Sequence, residues 1–297
     1  MKQQISRRIA SMMLSASILL CLLCSNSYAQ ENNFKQVQPT NNGYAPVNGL
    51  KIYYEIYGEG KPVVLLHGAY LSSDMNWGQL IPELSKTRKV ITLELQGHGR
   101  TADITRAISY PAMANDVAGV LKYLKIDSAD FIGYSFGGTI AFQLAISNPR
   151  LVSKLIIISA SHKYEALLPE GREMLKGFQN TFFDGSPLMT EYKRLAPDTA
   201  HWHAFVDKMI RFDNTAFNLG DGNIKTIKAP VLLVMGDNDG FDLTQTIATY
   251  RLLGGGVFGD VSGLPKSQLA ILPGKTHVSL IMDTEKITST IRPFLNE

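Results

Sequence analysis

Apolar residues along this chain fall into short unbroken runs, separated by stretches in which they recur every third or fourth position. The runs at 50–57, 62–66, 90–95, 129–134, 154–159, 230–235 and 268–272 read as strands, and the segments 110–124 and 244–253 as amphipathic helices. Short buried strands alternating with helices predict an α/β fold with a mostly parallel, doubly wound sheet covered on both faces. Residues 30–43, rich in Asn and Gln and without apolar periodicity, read as a flexible lead-in, with order expected from about Tyr44. The alternation stops between 160 and 228, where aromatic and Met residues recur at irregular helical spacing and Gly185-Ser186-Pro187 acts as punctuation. That stretch is expected to form a helical cap inserted between two strands of a domain spanning 44–297. Gly254-Gly255-Gly256 follows a helix, whereas a phosphate cradle follows a strand, so it reads as a surface loop. No internal repeat or coiled-coil pattern is visible, and nothing in the pattern sets an oligomeric state.

Within this framework, Gly133-Tyr134-Ser135-Phe136-Gly137 lies where a strand ends and a helix begins. A serine on such a sharp turn is presented as a nucleophile, and the flanking glycines remove side chains that would collide with the neighbouring strand and helix. At neutral pH the serine needs a base, an acid to orient the base, and donors for an oxyanion. His277, just after the last strand, is the candidate base, and Asp239, just after the preceding strand, the candidate acid. The candidate oxyanion donors are the backbone N–H groups of Phe136, which follows the serine, and of Ala69, in the loop after 62–66, chosen in preference to Tyr70. Asp237, Asn238 and Asp239 also suit a simple turn, and His98 and His162 also sit near strand ends. Neither histidine follows the last strand, where this order of residues needs its base. His201 and His203 flank Trp202, but no further ligand cluster has metal spacing, so neither a metal nor a cofactor is expected.

Taken together, the strand followed by His67-Gly68, the Gln96-Gly97-His98-Gly99-Arg100 turn, the serine elbow, the Gly236-Asp237-Asn238-Asp239 turn and the late His277 resemble an α/β-hydrolase from about Tyr44 to Phe294. Two departures stand out: Gln96 occupies a place where aspartate is common, and 38 residues separate Asp239 from His277, an excess that the glycine-rich loop at 254–266 accounts for. The resemblance implies attack by Ser135 on an acyl carbonyl with Asp239 and His277 as partners, and a cap over a small-molecule acyl substrate. Carboxylic ester hydrolysis is the leading expectation. Cofactor-free perhydrolysis and carbon–carbon bond hydrolysis share the triad, and a ligand-binding protein on the same scaffold is the non-enzymatic alternative. Dehalogenases and epoxide hydrolases resemble the chain less, because they carry aspartate where Ser135 stands.

Charge and targeting then narrow the setting. The first 29 residues carry Lys2, Arg7 and Arg8, an apolar stretch too short to span a membrane, and small residues at Ser27 and Ala29, the build of a secretory signal peptide. Both cysteines, Cys21 and Cys24, fall inside it; Leu23 before Cys24 disfavours lipid anchoring. Removing the leader takes the formal charge from +3 to zero, so the apparent basicity belongs to the targeting segment and gives no reason to expect nucleic acid. The expected product is exported, held together without disulfides, and free of a membrane span after cleavage. N-terminal sequencing of the exported protein should begin at Gln30; a chain beginning at Met1 would refute the leader.

Overall fold

A computed structural model describes residues 37–296. The expected signal peptide and residues 30–36 of the lead-in lie outside the described residues. The sheet has eight strands: β1 (Asn41–Val47), β2 (Leu50–Tyr57), β3 (Pro62–Leu66), β4 (Lys89–Leu93), β5 (Ala129–Tyr134), β6 (Val152–Ile158), β7 (Val231–Asn238) and β8 (Gln268–Thr276). Their order is β1-β2-β4-β3-β5-β6-β7-β8. The pairs β1·β2 and β2·β4 are antiparallel, and all the others are parallel. The helices outside the stretch between β6 and β7 are α1 (Ser73–Trp77), α2 (Ile81–Leu84), α3 (Tyr110–Tyr123) and α4 (Phe136–Ser147), then α9 (Leu243–Leu252), α10 (Gly259–Ser262), α11 (His277–Ile281) and α12 (Thr284–Asn296).

Side-chain parity explains why the strands read as continuous apolar runs. On β3, Val64 and Leu66 pack into one core while Val63 and Leu65 pack into the other; on β6, Leu155 and Ile157 oppose Ile156 and Ile158 in the same way. Both faces of the sheet are therefore buried, and neither can present a polar row to water. Helix α3 buries Met113, Ala114, Val117, Val120 and Leu121, a stripe at helical spacing, with Ser109 capping its first turn through the N–H of Ala112. Helix α4 is buried nearly all round, as befits a helix between sheet and outer layer.

The structure departs from the sequence reading at both edges of the sheet. Strand β1 starts at Asn41, inside the stretch read as a flexible lead-in. Asn41, Asn42 and Gly43 pair with Ile56, Glu55 and Tyr54 through the backbone, which needs no apolar pattern. At the other edge, β7 and β8 run past the apolar cores that mark them, to Asn238 and Thr276, with an irregularity between Gly236 and Asn238. Asn238 pairs with Thr276, so the chain leaves both strands side by side, with Asp239 next after one and His277 next after the other.

Between β6 and β7 the chain makes α5 (Pro169–Lys176), α6 (Pro187–Leu195), α7 (Trp202–Asp213) and α8 (Asp221–Lys225) over the carboxyl ends of the strands. Gly185-Ser186-Pro187 does the work its residues suggest: Ser186 caps α6 through the N–H of Met189, and Pro187 begins the helix. Tyr192, Trp202, Phe205 and Met209 are buried where these helices meet the sheet layer. At the rim, Arg194 of α6 pairs with Asp74 of α1 at 2.8 Å and with its neighbour Glu191, while Ser72 donates to Glu191 at 2.7 Å. Arg100 joins Asp74 from the sheet side at 3.0 Å.

On β5, the fully buried carboxylate of Asp130 sits between Arg88 at 2.8 Å and Lys61 at 2.9 Å, and Arg88 also donates to the backbone carbonyl of Leu295 in α12. Asp130→Ala would strand the buried guanidinium and should destabilise the fold by about 3 kcal/mol, read as a lower urea midpoint.

Candidate functional site

Strand order reverses at β3: the next strand, β4, lies on one side of it and β5 on the other. In an open parallel sheet the crevice at such a point, beyond the carboxyl ends, is where ligands bind. The loop after β3 and the turn after β5 both open there.

Ser135 follows β5 directly, with φ 51 and ψ −115, a conformation L-residues rarely hold. Strain of about 1–3 kcal/mol is expected for such a residue and must be over-determined by its surroundings. The Ser135 N–H donates to Ile158 O at 2.9 Å, and its carbonyl accepts from Gly138 and Thr139 at 3.0 and 3.2 Å. A Cβ at Gly133 would run into the carbonyl of Gly137, and one at Gly137 into the carbonyls of Leu66 and His67. The glycines expected from the five-residue pattern are thus required by backbone contact.

The structure brings the three predicted side chains together. Ser135 Oγ lies 3.0 Å from His277 Nε2, and His277 Nδ1 lies 3.0 Å from Asp239 Oδ1. An ionised carboxylate can only accept, so Nδ1 carries the proton and Nε2 is left to accept from the serine hydroxyl. Burial raises the pKa of Asp239, but hydrogen bonds from His277, from Ser159 Oγ at 2.6 Å and from the Gly240 N–H outweigh it and hold the carboxyl below the usual range. His277 is placed from two further directions. Thr276 and Ser279 form a reciprocal cap at the start of α11, and Tyr134 donates through its hydroxyl to the His277 carbonyl at 3.1 Å.

Ala69 and Phe136 line the same cavity as Ser135 and His277. Phe136 is the first residue of α4, so its N–H has no acceptor within the helix, and the N–H of Ala69 makes no hydrogen bond among the described residues. Tyr70 is the poorer donor because its N–H is spent on His98 Nε2 at 3.2 Å. The imidazoles of His67 and His98 are built in beneath this loop. His67 accepts from the Leu95 N–H at 3.1 Å and donates to the Gly68 carbonyl at 2.8 Å; His98 accepts from Tyr70 and donates to the Gln96 carbonyl at 2.9 Å. Burial pushes them down to about 4 and about 3, so both stay neutral.

The other polar residues singled out in the sequence go elsewhere. Asp237 is exposed and braces the end of β8, accepting from the Lys275 N–H at 3.0 Å. His162 bridges Asp221 and Thr249, away from the nucleophile. His201 contacts Asp103 at 3.1 Å while His203 contacts Asp184 at 3.0 Å, so the two point to different carboxylates. Among the described residues no group of three or more His, Cys, Asp or Glu side chains could hold a metal ion. Gly254-Gly255-Gly256 leads into α10 at the surface, beside exposed Phe258 and Leu264.

Two residues escape the sequence reading. Ser159 carries no motif, although its place just after β6, beside β7, is a signal in this architecture. Asp213, at the end of α7, lines the cavity and accepts from the Tyr70 hydroxyl at 2.8 Å. The cavity itself measures about 1160 Å³, with walls of Phe178, Phe182, Phe183, Phe212 and Phe217 beneath the inserted helices.

Comparison with known proteins agrees with this fold. A profile of the alpha/beta hydrolase fold matches residues 61–226, more than half of the chain. A putative carbamate hydrolase, RutD, of Agrobacterium fabrum is 26% identical over 266 residues, covering 82% of this chain and 98% of its own. A 2-hydroxymuconate semialdehyde hydrolase of Pseudomonas is 33% identical over 140 residues, covering 45% of this chain and 48% of its own. Among solved structures, a meta-cleavage product hydrolase from Pseudomonas fluorescens superposes with a TM-score of 0.68 at 22% identity, covering 87% of this chain and 98% of that one, a likeness of fold.

Ser159→Ala removes one of the donors that hold Asp239. It should cost about 2 kcal/mol at neutral pH. A depressed carboxyl contributes stability above its unfolded pKa and loses it as pH falls through the folded one, so the difference should shrink below about pH 4. Urea midpoints of both proteins at neutral and acid pH check this.

Proposed function

The chain belongs to the alpha/beta hydrolase fold family, and from that premise we propose that it is an exported serine hydrolase of small carboxylic esters, working through an acyl-enzyme on Ser135. The observation that carries the reading is the unbroken relay from Ser135 through His277 to Asp239, opening into a cavity whose walls are mostly apolar. Export rests on the sequence of the leader.

In this mechanism Ser135 Oγ attacks the acyl carbonyl carbon as His277 Nε2 takes the hydroxyl proton, and the carbonyl π pair moves onto oxygen. The N–H groups of Ala69 and Phe136 serve as donors to that oxyanion, and Asp239 stabilises the imidazolium that forms. Collapse expels the alcohol, which takes the proton from His277. Water enters, gives a proton to the same nitrogen, attacks the acyl carbon, and the acid leaves as Ser135 recovers its proton. Because the first step asks only for an electrophilic carbonyl, carbamates fall within the same chemistry, which fits the activity named for RutD. The helices inserted over the nucleophile favour a small substrate over a polymer.

Two measurements test the assignment. A fluorophosphonate probe should label wild type at Ser135 and leave Ser135→Ala unlabelled. Turnover of a short nitrophenyl ester should fall by about three or more orders of magnitude in Ser135→Ala, with an unchanged thermal midpoint. Equal turnover by the two proteins would refute it.

A further inference from the structure

The relay uses one carboxylate, Asp239; the cavity holds another that the relay leaves idle. Asp213 is the last residue of α7, where the partial negative charge of the helix terminus opposes an anion. Its Oδ2 accepts from the Tyr70 hydroxyl at 2.8 Å, and among the described residues it forms no ion pair. The titratable groups that face it are two phenols, Tyr70 from the loop after β3 and Tyr110 from α3. Burial lifts its carboxyl to about 7, offset only in part by the Tyr70 hydrogen bond. A carboxylate so placed costs stability, and its one hydrogen bond, from Tyr70, returns only part of that cost.

The surroundings supply a reason. Tyr70 packs on Phe183 with ring centroids 4.9 Å apart, and Tyr110 on Phe212 and Phe217 at 5.1 and 4.5 Å. Phe212 in turn meets Phe136, beside the nucleophile, at 5.2 Å. The cavity's arginines, Arg100 and Arg194, are both engaged with Asp74 at the rim. Of the other carboxylates that line the cavity, Asp74 pairs with Arg100 and Arg194, Glu191 pairs with Arg194, and Glu55 accepts from Tyr53 and Tyr57. Asp213, among the aromatic rings, has only the Tyr70 hydroxyl, and no lysine lines the cavity among the described residues. Aromatic faces attract cations through the ring quadrupole, most strongly where water is excluded, and a carboxylate adds direct charge pairing.

We propose that Asp213, with the aromatic walls formed by Tyr70, Tyr110, Phe183, Phe212 and Phe217, is a recognition site for an organic ammonium group, so that the substrate is a small ester bearing an amine or quaternary ammonium. The substrate class rests on the hydrolytic reading of Ser135; the cation site does not, and can be measured without turnover.

The test titrates tetramethylammonium into the Ser135→Ala protein by calorimetry, with neopentyl alcohol as an uncharged ligand of similar bulk. At about pH 8.5, where Asp213 is ionised, tetramethylammonium should bind at least about tenfold tighter than the alcohol. The preference should fall as pH drops through about 7, and near pH 6 binding should release a proton, making the enthalpy depend on the buffer. In Ser135→Ala/Asp213→Asn the tenfold preference should disappear. Tetramethylammonium binding no tighter than the alcohol, or equally tight after Asp213→Asn, overturns the proposal. A thermal midpoint matching that of Ser135→Ala shows that the Asp213→Asn variant is folded, and Ser135→Ala/Asp213→Glu, which keeps the charge, should keep the preference; its loss in that variant too would overturn the proposal. Binding of the cation by a protein whose wild type cleaves no ester would sink the hydrolytic reading and leave the cation site standing.

Discussion

The site depends on one close approach: the first turn of α4 lies so near the carboxyl ends of β3 and β5 that no side chain fits between them. A Cβ at Gly137 would meet the backbone of Leu66 and His67, and one at Gly133 would meet Gly137. That contact forces Ser135 into its left-handed conformation and lifts its hydroxyl out of the sheet. It also sets the N–H of Phe136 beside the loop that carries Ala69. The strained backbone of Ser135 and the start of α4 at Phe136 are therefore consequences of one packing constraint, and backbone spacing enforces it with little help from side-chain chemistry.

How much of this could be read from residues alone follows from what kind of force fixes each part. The central strands were legible because burial on both faces demands continuous apolar runs. The elbow was legible because close backbone approach demands glycine. Strand β1 was not, because Asn41–Gly43 are held by main-chain pairing that any residue can make. The last residues of β7 and β8 were missed for a related reason: Pro273-Gly274 reads as a break, yet Asn238 still pairs with Thr276 beyond it. Ser159 and Asp213 come into view only in three dimensions, since their partners, Asp239 and Tyr70, are 80 and 143 residues away.

Residues of the same type divide their labour by environment. His67 and His98 are sealed off, each with its tautomer fixed by a backbone donor on one nitrogen and a backbone carbonyl on the other, and serve as neutral struts. His277 remains part-exposed to the cavity with an anion behind it. It is the one whose second nitrogen meets the Ser135 hydroxyl. The carboxylates divide likewise: Asp239 is surrounded by donors that outweigh its burial, while Asp213, among aromatic rings, has one phenol donor that does not.

The rim contacts between the inserted helices and the sheet layer behave differently from everything beneath them. Asp74 is shared by Arg194 and Arg100 where all three side chains reach solvent, whereas Asp239 is sealed under the loops. Exposed pairs weaken as salt shortens the range of their attraction; buried ones scarcely respond. Ionic strength therefore acts on this molecule at its doorway: dissolved ions loosen the rim pairs between the inserted helices and the sheet layer without altering the hydrogen bonds from Ser135 through His277 to Asp239.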